Sequence, residues 1–302
     1  MALSALNSTV RTWVGVAAIA SLLPYTILKI LWLGGSKLGM KVGAAGGHMQ
    51  DVRMEIGNVV TVVLAVIGAG VVLALIQRWG QRLPWWVVLV PAAGATGTLA
   101  PIALGLPVGV LLQSALEGNV RSGGEGDLQG GVFALVYGGF GVFGIALAVL
   151  FVDYLKRRWP TLMTTGPRWP HQQWVVPVAW LGMLPLVGAL WFWAANGASS
   201  AGLAGWESLA QRTVLVVIGL LVLSGLVSPY LARWGALRPA AAWMVAWIGC
   251  CVAAVQGPVL LLLSRDGTVE LPLLFVTILA TPSAVLLASA MLRHRSTADR
   301  RK

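Results

Sequence analysis

Tyr25, Lys29 and Trp32 recur at spacings of four and three residues in an otherwise apolar stretch, so on a helix they form one stripe. A charge inside such a stretch is rare and usually functional when the surroundings are hydrocarbon. Two fates are open to the Lys29 ammonium. It can snorkel, because Leu33 is only about 6 Å of helix further on. Alternatively the stripe faces other helices and Lys29 takes a partner. The nearest by chain position are Glu55 and Asn58, three residues apart on one face where the next apolar run begins. A Lys29–Glu55 pair with Asn58 and Tyr25 beside it, lining a pocket open to the outside, is the arrangement this spacing predicts.

Gln256 is the third polar residue within an apolar run. It precedes Gly257-Pro258, where a kink frees carbonyls that a side-chain amide can satisfy. Glu55, Glu117, Glu207 and Glu270 all fall at the outer ends of runs. They are four carboxylates in the headgroup zone or a shared outer vestibule for a cation, a basic solute or a lipid headgroup. The candidate outer pocket therefore comprises Tyr25, Lys29, Glu55, Asn58, Glu207 and Gln256.

Other chemistry is missing from the sequence. It holds no GxSxG elbow, no phosphate loop, no HExxH and no Asp-rich diphosphate motif. His48 is expected outside and His171 and His294 inside, so no histidine pair shares a metal. Cys250 and Cys251 are adjacent and read as small buried thiols. No catalytic residue, cofactor or metal is assigned. Asn7-Ser8-Thr9 matches a glycosylation sequon but falls on the expected cytoplasmic side.

The elements that position these residues follow from composition. Of 302 residues, 58% are hydrophobic and 10% charged, against about a quarter charged in a soluble domain. Eight nearly charge-free runs, at 13–35, 55–77, 85–112, 130–152, 174–195, 209–231, 240–264 and 270–292, are each long enough to cross a bilayer as a helix. Barrel strands would alternate instead. The fold class is an all-α integral membrane protein. The third run contains Pro91, Pro101 and Pro107 and is expected to kink or to end in a short interfacial piece. The first run continues past Pro24 to Leu33, too far for a cleaved signal core, so it is expected to be retained.

The net charge of +11 would suggest nucleic acid in a soluble chain. Its placement points to a membrane instead, and no nucleic-acid partner is expected. Arg11, Arg78, Arg82, Lys156, Arg157, Arg158, Arg168, Arg233, Arg238 and the five cations from Arg293 to Lys302 share one face. Lys37, Lys41, Arg53, Arg121, Arg212 and Arg265 share the other. Positive residues mark the cytoplasmic side, so both termini are expected inside. The basic C-terminal run should meet anionic inner-leaflet lipids. Tryptophans at run ends read as an interfacial belt: Trp13, Trp79, Trp85, Trp86, Trp174 and Trp234 inside, Trp32, Trp193 and Trp206 outside.

An internal correspondence divides the chain. RWGQRLP at 78–84 returns as RWGALRP at 233–239, and Trp13, Pro24 and Trp32 match Trp174, Pro185 and Trp193 at one constant offset. In both RWG turns the glycine is expected to end a helix and the proline to start the next. Two parallel four-helix repeats are predicted, 1–152 and 174–302, joined by a basic linker, 153–173, about an axis along the membrane normal. At the positions matching Tyr25 and Lys29 the second half has Leu186 and Leu190. The glycine-rich fourth span, GGVFALVYGGFGVFG, is expected at the centre of the first half, where small residues let backbones approach.

The patterns W-x10-P-Y-x6-W-x-GG, RWG-x3-P and VYGGFGVFG running into Tyr154 and Lys156-Arg157-Arg158 resemble a group of uncharacterised multi-spanning membrane proteins of actinobacteria. The resemblance covers most of the first half. It implies a bacterial plasma-membrane protein and carries over no site residues. Two functional readings stay open. One is a permease or transporter component, with a membrane or ATPase partner subunit. The other is a membrane-embedded enzyme acting on a lipid or isoprenoid, or else a scaffold subunit.

Overall fold

The computed structural model describes residues 6–39, 52–118, 130–164, 166–167, 172–196, 208–262 and 271–299. Among these residues there are eight α-helices and no strand: α1 Ser8–Leu33, α2 Val52–Ile76, α3 Trp85–Glu117, α4 Gly130–Arg158, α5 Val175–Asn196, α6 Leu209–Arg233, α7 Pro239–Leu262 and α8 Leu271–Asp299. All eight are long and apolar enough to cross a membrane. Helix is the form these runs must take in hydrocarbon, because it satisfies each backbone group within its own segment.

Several boundaries differ from the sequence reading, each for a local reason. Helix α1 starts at Ser8, because the Asn7 side chain accepts the Thr9 N–H at 3.2 Å and caps the first turn. Helix α3 runs unbroken through its three prolines for 33 residues, so there is no separate interfacial piece. Helix α8 continues to Asp299, so the basic C-terminal run begins as helix.

Backbone proximity divides the chain into two units, one of residues 1–95 and 125–158, the other of 96–124 and 159–302. The chain passes from one unit to the other inside α3 and again after Arg158, at the end of α4. Residues 153–158 are the last turns of α4, where Asp153, Tyr154 and Leu155 are buried. In the first unit α1 packs against α2 and α4. In the second unit α5 packs against α6 and α8, and α7 completes the ring between them. Its core includes Met183, Leu186, Leu190, Leu215, Leu226 and Leu273.

The glycines of α4 do not form a single packed face. Gly138 and Gly141 look onto open space, whereas a Cβ on Gly139 would come within 2.6 Å of the Ser21 carbonyl of α1. Two helices of the second unit also approach backbone to backbone. A Cβ on Gly225 of α6 would sit 2.7 Å from the Cα of Gly249 on α7. Trp13, Trp79, Trp85, Trp86, Trp174 and Trp234 are exposed, as headgroup anchors must be. Trp193 is not: it is only 3% exposed and belongs to the core of the second unit. Trp206 lies outside the described residues.

The two RWG turns share letters but not backbone. Gly235 has φ +71° and ends α6, with Ala236 N–H donating to Leu231 O at 2.9 Å and Gly235 N–H to Ala232 O at 3.2 Å. This is the glycine stop the sequence predicts. Gly80 instead sits in a 3₁₀ turn, Trp79–Gln81, buried so tightly that a Cβ would overlap the Ala74 backbone. Alanine at the two sites should therefore behave differently. Gly235→Ala is expected to cost about 1 kcal/mol for its left-handed backbone. Gly80→Ala should cost more, because backbone must move. Thermal unfolding of both variants in detergent checks the order.

Candidate functional site

The stripe on α1 faces protein. Lys29 Nζ donates to Asn58 Oδ1 of α2 at 2.8 Å. The ammonium lies 4.7 Å from the Trp32 ring centroid and 5.3 Å from that of Tyr25. Asn58 is 5% exposed, and its backbone carbonyl accepts the Thr61 hydroxyl at 2.9 Å. Tyr25 stands edge-on to Phe140 of α4 with centroids 4.7 Å apart, and Trp32 Nε1 donates to Leu38 O at 2.9 Å. The ring faces, which carry negative potential, and the amide oxygen together replace part of the water a buried ammonium loses. The result is a half-buried positive charge near the end of a membrane helix, held in a fixed orientation.

Of the other sequence candidates, Glu55 is exposed, and no Lys29–Glu55 pair is among the ion pairs of the described residues. The hydrogen bond goes to Asn58, one turn deeper, because burial selects the neutral amide there. Glu207 lies outside the described residues. Gln256 belongs to the other unit. Its Nε2 donates at 2.7 Å to the Gly97 carbonyl of α3, not to a carbonyl freed by its neighbour Pro258. No group of three or more His, Cys, Asp or Glu suited to a metal occurs among the described residues.

Sequence reasoning missed a second polar cluster at the other end of the first unit. Asp153 of α4 is 2% exposed. Its Oδ2 is 2.9 Å from Arg157 Nε and 3.6 Å from Arg11 Nη1, and its Oδ1 accepts the Leu6 N–H at 2.7 Å. Arg157 Nη2 also reaches Leu75 O at 2.6 Å, at the end of α2. Arg158 donates to the carbonyls of Gly80, Gln81 and Leu83 and to the Tyr154 hydroxyl, which itself bonds Gly80 O. These arginines, counted from sequence among the cations of the expected cytoplasmic face, satisfy carbonyls that α2 and the turn after it leave open. The available signal was Asp153 itself, an acidic residue at the basic end of a span with Arg157 at i+4.

The eight membrane-length helices define a multi-pass helical membrane protein with an aromatic-flanked lysine on one helix. No protein-family model, curated protein or solved structure matches the chain.

Proposed function

We propose that the protein is a transport component of a bacterial plasma membrane, a permease or the membrane subunit of one. In this reading both termini are cytoplasmic and the Lys29 site is reached from outside. The observation that carries it is the Lys29–Asn58 hydrogen bond between aromatic rings. At the positions matching Tyr25 and Lys29, α5 has Leu186 and Leu190, both fully buried. A helix with the same neighbour pattern therefore packs with leucine there, and the polar pair on α1 has a use other than packing. Intramembrane charges in bundles commonly mark solute paths. The orientation rests on the excess of Lys and Arg on the side of the termini. The two four-helix sets are read as copies on the RWG turns and on the like neighbours of α1 and α5.

The test compares cells lacking the gene with cells complemented by the wild type or by Lys29→Leu. Solutes are profiled in cells and in medium. One solute class is expected to change its cell-to-medium ratio in the deletion, with Lys29→Leu resembling the deletion at normal protein abundance. Full complementation by Lys29→Leu would overturn the reading.

A further inference from the structure

Proline removes one donor from a helix and strands the carbonyl four residues before it. In the second unit, neighbouring helices supply the missing donors twice. Pro101 of α3 strands Gly97 O, which accepts Gln256 Nε2 of α7 at 2.7 Å. Pro258 of α7 strands Ala254 O, which accepts Thr281 Oγ1 of α8 at 3.0 Å. Each donor lies beside a proline of its own helix. Gln256 falls between Ala254 and Pro258, and Thr281 immediately precedes Pro282, the proline inside α8.

The helices meet closely at these places. A Cβ on Gly97 would lie 2.5 Å from Cys251 O and 2.7 Å from Val255 Cβ. A Cβ on Gly257 would lie 2.8 Å from Thr277 Cγ2 and 3.0 Å from Thr277 Cα. Gln256 is 4% exposed, and Thr281 is half-buried. Water has little access, so a carbonyl that loses its side-chain donor stays unsatisfied.

We propose that α3, α7 and α8 flex as one coupled element at Pro101, Pro258 and Pro282, with Gln256 and Thr281 as the couplers. A proline turn lacks the ladder bond that resists opening, so bending concentrates there. Opening α7 at Pro258 moves Gln256, which sits inside the opening turn and holds α3. The same opening moves Ala254 O, which is held by α8. Neither neighbour can stay behind without leaving a proline-stranded carbonyl without its donor. Bending is thereby shared among three helices, whatever the protein carries.

Hydrogen exchange read by mass spectrometry on the full chain in lipid nanodiscs tests this. Gln256→Leu should raise exchange about fivefold or more in α3 around 97–105, and also in α8 around 278–285, which Gln256 does not bond. Thr281→Val should raise it in α7 around 254–262 and also in α3. A rise confined to the helix that lost its donor would reduce the bonds to static staples and overturn the coupling. Pro101→Ala returns an N–H to Gly97 O. In that background Gln256→Leu should leave α3 at its wild-type rate, and a persistent rise would show that Gln256 acts through packing alone. Thr281→Ser keeps the hydroxyl and should exchange like the wild type; exchange like the valine variant would also overturn the proposal. If Thr281→Val does not fold, the Gln256 and Pro101 variants decide the question.

Discussion

Asp153→Leu is expected to destabilise the protein by about 3–5 kcal/mol, the cost of breaking a buried ion pair from one side. The carboxylate is 2% exposed and the two arginines beside it 19% each. Leucine leaves the Arg157 guanidinium facing a buried space without its counter-charge and deprives the Leu6 N–H of its acceptor. Asp153→Asn keeps an oxygen for Leu6 and should lose less. Adding Arg157→Leu to Asp153→Leu should recover part of the loss, because no charge is then left uncompensated. Thermal unfolding of the purified single and double variants measures this. A shift below about 1 kcal/mol for Asp153→Leu, the size typical of an exposed pair, would mean that water reaches the cluster freely.

Gly249→Leu should be the most damaging change in the second unit, at about 3 kcal/mol, the upper end of ordinary overpacking. A Cβ there would lie 2.7 Å from both Gly225 N and Leu221 O, and backbone cannot swing aside as a side chain can. The α6–α7 crossing would have to open along its length. Gly188→Leu on α5 is the control, since nothing lies within 4 Å of a Cβ at that exposed position. Equal melting temperatures for the two variants would show that α6 and α7 do not meet at their backbones.

What the sequence revealed depended on how local the cause was. The eight spans were legible because an apolar run of some twenty residues has one use, and their ends were missed where a single cap such as Asn7 decided them. The Tyr25–Lys29–Trp32 stripe follows from helical spacing alone. The choice of Asn58 over Glu55 needed the depth at which α2 meets α1, which spacing does not supply. Gln256 next to Pro258 was correctly read as a donor to a proline-freed carbonyl, but on the wrong helix. Pro101 frees one as well, and Thr281 takes the carbonyl that Pro258 frees. Arg157 and Arg158 were hidden for another reason. A cation at the basic end of a span fits the headgroup rule equally well whether it points outward or folds back onto carbonyls. Only the geometry of the 78–84 turn distinguishes the two.

The bond from the Leu6 amide to Asp153 joins residues 147 positions apart. During synthesis the amide emerges first, and its acceptor follows roughly 7–30 s later at ordinary ribosome speed. Helices α1 and α2 must therefore wait in the bilayer with Arg11 and the carbonyls of the first turn unattended, held only by their mutual packing. The arrival of α4 ends that wait at one stroke, since Asp153, Arg157 and Arg158 complete the amide, the salt bridge and the turn together. Assembly of the first unit is on this view a late, single event in biogenesis. The interval before it is when an insertion chaperone or a membrane protease has its opportunity.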